Sequence, residues 1–249
     1  DLKPRCIRMD YKWAAIKSFR EKFGRGIKIR LCTIHIQRNW LRKFQSEIGR
    51  VNYFRHKIFH KIWRLLNGVF YLPVNCLETV ISYCRIEKLQ LKPKTLQAKF
   101  EKFLKYLETY YFSTSARFHS SMWSYYSDVS ELSEFNISSN PAESVNKKLK
   151  VFCTKGTISF HRACRTLKEF KVSYISDFEN QVRGERLNPR KSSTVLRECM
   201  LLDIVREYDY YVDTCLLIEP DFDTIIHFCL RLGSVGKPTK FHLPSLLTN

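Results

Sequence analysis

The sequence predicts an α/β chain whose core is interrupted by an all-helical insertion and followed by a mostly helical tail. Three observations predict it. A strand–helix–strand pattern fills the first 36 residues. From Gln37 the apolar period turns helical and stays so to about residue 125. Further helical patterns lie on both sides of a polar stretch, Arg183 to Ser193. The expected division is therefore 1–36 and 126–182 for the two parts of the core, 37–125 for the insertion, and 183–249 for a tail whose role the sequence leaves open.

The elements follow in order. Cys6-Ile7-Arg8-Met9 reads as a short strand ending at Asp10. Trp13, Ile16, Phe19 and Phe23 recur every three or four residues, which predicts a helix over 11–23, stopped by Gly24 and Gly26. Ile27, Ile29 and Leu31 alternate with Lys28 and Arg30, which predicts a strand running to about Ile36. Trp40, Leu41, Phe44 and Ile48 mark the next helix, and Phe54, Ile58, Phe59, Ile62, Leu65 and Leu66 the one after it. Cys76, Val80, Ile81 and Cys84 mark another. Leu96, Phe100, Phe103, Leu104, Leu107 and Tyr111 form a strong apolar stripe with lysines on the other face. Asn140-Pro141 is helix-start chemistry, with Asn140 as N-cap and Val145, Leu149 and Phe152 as the apolar positions. A second helix, about 158–180, carries Ile158, Ala163, Leu167, Phe170 and Tyr174. The tail begins as helix from Leu196 to Tyr208 and shows no readable pattern after Pro220.

Composition narrows the function classes. With 44% hydrophobic and 27% charged residues among 249, the chain is globular rather than disordered. No window reaches the roughly 18 apolar residues of a membrane span, and the charged start, DLKPRCIRMD, is not a secretory signal. That start also lacks an initiator Met, which suggests an excerpt of a longer protein. Nine scattered cysteines with no Cys-x-x-Cys pair point to reduced thiols in cytosol or nucleus. The net charge is +19, of which +12 falls within residues 1–60, while residues 192–249 carry −3. A polyanion is the natural partner of such a chain, and nucleic acid is the commonest one. Arg38, Arg42, Lys43, Arg50, Arg55, Lys57 and Lys61 are the expected backbone contacts, joined by Lys147 and Lys148.

Several residues could carry chemistry. Asp10 follows a strand and Glu143 sits in a helix's first turn among lysines, where either is ordinarily a solvated or dipole-facing carboxylate. The sharper reading gives both to a divalent cation, because phosphoryl transfer on DNA uses hard cations held by carboxylates from separate elements. Cys32 and His35, with His56 and His60, are a loose zinc set. On one continuous strand Cys32 and His35 would point to opposite faces; a strand ending near Leu31 would let them share a metal. Trp123, in FHSSMWSYYS, reads as a core residue, with a stacking platform for an unpaired base as the other reading.

The run MDYKWAAIKSFREKFGRGIKIRLCTIHIQRNWLRKF resembles the Mutator-like (MULE) transposase domain. The resemblance lies in Asp10, the Ala14-Ala15 pair, Cys32-Thr33-Ile34-His35 and the basic helix after it with Gln37-Arg38-Asn39 and Arg42-Lys43. Trp123 and the later Asn140-x-x-Glu143-x-x-Asn146-x-x-Leu149-Lys150 look like that family's Trp and Asn-x-x-Glu segment. The likeness covers roughly 1–175.

The resemblance implies an RNase H-like core with a DDE triad, in which Asp10 is the second acidic residue and Glu143 the third. It implies Mg²⁺ or Mn²⁺, a DNA partner, a nuclear location, and cleavage by activated water followed by attack of a 3′-hydroxyl. The first strands and first Asp of that core would lie before Asp10, where only Asp1 stands. The expectation is thus a transposase catalytic-domain fragment that does not catalyse strand transfer alone. Two other readings stay open: a transposase-derived DNA-binding protein without the chemistry, and a basic helical module for RNA or protein. A homo-oligomer is left open as well.

Overall fold

The computed structural model of the chain describes residues 6–10, 12–24, 26–126, 159–184, 191–214 and 220–235. Its first elements are the expected ones. Strand β1 (Cys6–Met9), helix α1 (Trp13–Phe23) and strand β2 (Lys28–Leu31) form a β–α–β unit with the strands parallel. The register pairs Cys6 with Lys28, Ile7 with Ile29, Arg8 with Arg30 and Met9 with Leu31. Helix α1 buries Ile16 and ends at Gly24, whose φ of 81° is open to glycine and strained for other residues.

The strand expected to reach Ile36 stops at Leu31. Helix α2 (Thr33–Glu47) starts at once, with extended Cys32 as its N-cap. Thr33, Ile34 and Ile36 are β-branched and favour strand locally. The helix wins because Thr33, Ile36, Gln37, Trp40 and Phe44 then fall on one buried face. Beyond it lie α3 (Arg50–Arg55), α4 (Lys57–Gly68), α5 (Leu77–Lys88) and α6 (Lys94–Leu107). Their buried residues are those of the sequence stripes: Phe59, Ile62, Leu65 and Leu66 on α4, Val80, Ile81 and Cys84 on α5, Leu96, Phe100, Phe103, Leu104 and Leu107 on α6. Two aromatic clusters fill the centre. Trp40 packs against Phe70, Tyr111, Phe112 and Trp123, and Phe44 against Tyr53, Phe59 and Phe103.

This architecture corrects the expected fold class. Helix makes up 78% of the described residues and strand 4%, so the described residues form a mostly helical structure with one two-stranded sheet and not an α/β, RNase H-like core. The physical reason is where the apolar surface goes. No residue of β1 is fully buried, and the two strands have four residues each. The buried stripes of α2, α4, α5 and α6 meet one another instead, giving a helix-on-helix core with the small sheet at its side.

The tail contributes to that core. Described residues up to 126 and from 196 onward belong to one compact unit, and those from 159 to 195 to a second. The second unit contains α7 (Phe160–Val182), a 23-residue helix on which Phe160, Leu167 and Val172 are exposed. Helix α8 (Ser192–Thr214) buries Leu201, Ile204, Val205 and Tyr208, and Tyr208 meets the Cys76 thiol at 3.3 Å. Past Pro220, where the sequence showed no pattern, lies α9 (Phe222–Val235). Asp221 starts it by accepting the Thr224 N–H at 2.7 Å, an N-cap contact. Helix α9 packs on α4 so closely that the Cys229 thiol reaches the Leu65 carbonyl at 3.1 Å.

Candidate functional site

Two features of the sheet edge bear on the predicted chemistry. Asp10 directly follows β1, and the Cys32 N–H donates to the Met9 carbonyl at 2.9 Å. The end of β1 carrying Asp10 therefore lies beside the start of α2 carrying Cys32 and His35. In parallel sheets this carboxyl-terminal edge is where sites are built. The Asp10 carboxylate is about one third exposed. It accepts the Lys12 main-chain N–H at 3.4 Å and has the Lys12 ammonium at 3.7 Å. Its proposed partner Glu143 lies outside the described residues, as do Asn140, Asn146, Lys147 and Lys148.

With β2 ending at Leu31, Cys32 and His35 leave the strand and share the first turn of α2. Cys32 is buried and His35 half-buried. The two histidines of the zinc reading sit elsewhere. His56 is the N-cap of α4, and exposed His60 stacks on Tyr53 with ring centroids 4.4 Å apart. Among the described residues no three His, Cys, Asp or Glu side chains gather where they could hold a metal ion. The described residues thus assemble neither a zinc site nor a two-cation site, and no reaction step is assigned to a metal. The seven described cysteines are all reduced.

Trp123 is a core residue. It is fully buried, its indole N–H donates to the Phe118 carbonyl at 2.8 Å, and its ring meets Phe70, Phe112 and Trp40. A base cannot stack on it. Asn39, in the basic segment after Cys-x-x-His, is also structural: its amide donates to the hydroxyls of Tyr106 and Tyr111, both at 2.7 Å.

The seven expected backbone-binding cations separate into two groups. Arg38, Arg42, Arg50, Arg55 and Lys57 are exposed and make no ion pair among the described residues. Arg38 and Arg42 stand one turn apart on α2, opposite its buried face. Lys43 instead pairs with Glu47 at 2.7 Å, and Lys61 with Glu87 at 3.0 Å. The Lys43 hydrogen bond holds the Glu47 carboxyl below its ordinary range, helped by the fields of Lys102 and Lys99 against a smaller effect of burial. Those two exposed lysines belong to α6, which packs beside α2. Sequence reasoning saw the lysine face of α6 but did not join it to α2, because that junction is tertiary.

Arginines of the sheet were missed altogether. Arg30 is 3% exposed, and its guanidinium donates to the carbonyls of Ser121 at 2.6 Å and Ser124 at 3.1 Å. Its register neighbour Arg8 lies over the Tyr125 ring at 5.4 Å, and the Tyr125 hydroxyl donates to the Leu31 carbonyl at 2.9 Å. Comparison of the chain with known protein families, with curated proteins and with solved structures finds no match.

Proposed function

We propose that this chain binds DNA through its phosphate backbone and is a non-catalytic part or descendant of a Mutator-like transposase. The observation that carries the reading is the set of five exposed cations, Arg38, Arg42, Arg50, Arg55 and Lys57, on the consecutive helices α2 to α4, which make no ion pair among the described residues. Exposed guanidinium and ammonium groups of this kind neutralise phosphates and release counterions on binding. The transposase ancestry rests on the sequence resemblance and on the nearness of Asp10 to Cys32. Strand transfer in such a protein draws on divalent cations held by several carboxylates. Of the acidic residues that the resemblance implies, Asp10 and Glu143 stand in this sequence.

A salt titration of duplex DNA binding tests the reading. Affinity should fall steeply between about 50 and 200 mM salt. The Arg38→Gln, Arg42→Gln double variant should lower the slope of log affinity against log salt by about two. A flat salt dependence would point to a protein partner, and preference for RNA over duplex DNA to the helical-module reading. Joined product from this chain in a strand-transfer assay with Mg²⁺ or Mn²⁺ would overturn the non-catalytic part of the proposal.

A further inference from the structure

We infer that the exposed ring of His60, backed by Tyr53, is a stacking platform for an unpaired base, so that the strand lying along α4 is a single one. This deepens the phosphate-binding reading above and rests on it. Trp123 is closed to such a role by its burial, and His60 has the opposite character. Its imidazole lies nearly parallel to the Tyr53 ring, with centroids 4.4 Å apart and 13° between the planes. Phe54 meets it edge-on at 6.5 Å. Tyr53 is 9% exposed and is itself packed edge-on against Phe44 in the core. One face of the imidazole is therefore covered by a ring that is anchored from behind, while His60 as a residue stays exposed. A flat side chain held in this way is oriented before any ligand arrives, which lowers the ordering cost of binding.

The charges around the ring select the ligand. Lys57, His60 and Arg64 follow one another at spacings of three and four residues, so they share one face of α4, and all three are exposed. Lys57 and Arg64 bracket the ring, about 10 Å apart along the helix axis. The Arg64 charge also acts against the rise that burial causes in the Tyr53 hydroxyl, which puts it near the same stack. Helices α3 and α4 contain no Asp or Glu, and neither Lys57 nor Arg64 makes an ion pair among the described residues. The matching ligand is negative on both sides of a flat body. A base between the phosphates of its own strand has that form. Histidine is one of the side chains on which splayed-out bases stack. In an intact duplex both faces of a base are covered by its neighbours, so only an unpaired base can lie on His60.

Two labelled probes test this by fluorescence anisotropy on the whole chain: a single-stranded oligothymidylate of about 15 nucleotides, comparable with known single-strand site sizes, and an abasic strand of the same length. The two carry the same phosphates and differ only in having bases. The wild type should bind the oligothymidylate about tenfold more tightly than the abasic strand. His60→Ala should bring that preference below about twofold, and His60→Phe, which keeps a flat ring, should retain it. Circular dichroism checks that both variants fold. The Lys57→Gln, Arg64→Gln double variant should weaken both strands alike and lower the salt slope by about 1.4. Equal binding of the two strands by the wild type, or an undiminished preference in His60→Ala, overturns the inference. So does a His60→Phe variant as weak as His60→Ala, because the contact would then not be ring stacking. Duplex binding decides the other reading separately. Steeply salt-dependent duplex binding without base preference would leave the DNA-binding proposal standing and remove the platform. Base preference without duplex binding would keep the platform and sink the duplex reading.

Discussion

Gly68 on α4 and Gly233 on α9 meet where the two helices cross, and neither position has room for a single further carbon. A Cβ on Gly68 would lie 1.9 Å from the Cys229 carbonyl oxygen, and one on Gly233 would lie 1.8 Å from that of Arg64. Both obstacles are main chain, so no side-chain rotation relieves them. Each substitution to Ala should push the helices apart and cost about 3 kcal/mol or more of stability, the upper end of overpacking effects. The double substitution should cost less than the sum, because the first displacement already makes space for the second. Gly26→Ala, with nothing within 4 Å of its added carbon, should change stability by less than about 0.5 kcal/mol. Urea denaturation of the four variants checks this. Additive losses would mean that the helices yield independently at the two positions.

That crossing also marks the limit of what the sequence discloses. The stripes of α4, α5 and α6 were legible residue by residue, since an amphipathic helix writes its period locally. The glycine contact was not, because it joins residues 165 positions apart. Helix α9 went unread for a related reason: it is apolar on much of its surface, and only Asp221 announces its start. The boundary at Leu31 was hidden by β-branched residues whose preference tertiary packing overrides. Of the candidate site, the place of Asp10 at the end of a strand was legible; its nearness to the Cys32 turn was not, because the pairing of β1 with β2 is tertiary. The alternation of Ile27, Ile29 and Leu31 with Lys28 and Arg30 groups Arg30 with the polar positions of the strand. Arg30 is nonetheless buried, because its guanidinium donates to the carbonyls of Ser121 and Ser124.

Arg30 therefore has a structural test of its own. Arg30→Met removes the donor to two carbonyls, one in a buried contact and one part-buried. Leaving acceptors unsatisfied and losing a charge-assisted bond should cost roughly 2–4 kcal/mol. Arg30→Lys keeps the charge but loses the planar fork, and should recover only part of the loss. Thermal denaturation gives the ranking wild type, Lys, Met. Proteolysis within 120–126 should rise in the same order, since this segment is what Arg30 holds.

The cysteines separate by accessibility. Cys84 is fully buried, and burial pushes its thiol up to about 12. Cys229 is raised by burial too, with Cys84 and Cys76 nearby adding to the effect. The thiolate is the reactive form, so both should be inert in the folded chain. Cys6 and Cys199 are exposed. Brief treatment with a maleimide at neutral pH should label Cys6 and Cys199, and peptide mass mapping should find Cys84 and Cys229 modified only after denaturant is added. Early modification of Cys229 would mean that α9 leaves α4 readily, contrary to the close glycine contact.

Acid should loosen the contact between α4 and α5 through Glu87. Its carboxylate accepts a hydrogen bond from the Tyr83 hydroxyl and pairs with Lys61 at 3.0 Å, while the Lys61 ammonium lies 4.8 Å from the centre of the Tyr83 ring. Burial pushes Glu87 upward, but the bonds from Tyr83 and Lys61 outweigh it and hold the carboxyl below its ordinary value of 4.5. The unfolded chain thus takes up the proton at a higher pH than the folded one. Stability from this group is complete above pH 4.5 and declines as the pH falls through the lower folded value. Glu47, Glu101 and Glu207 are lowered in the same direction, so wild-type acid denaturation reports all of them together. The difference in stability between wild type and Glu87→Gln isolates one. It should be constant near neutral pH and shrink below about pH 4.5. A difference that stays flat from pH 7 to pH 3 would mean that Glu87 titrates alike in both states and that its bonds to Tyr83 and Lys61 do not favour the carboxylate.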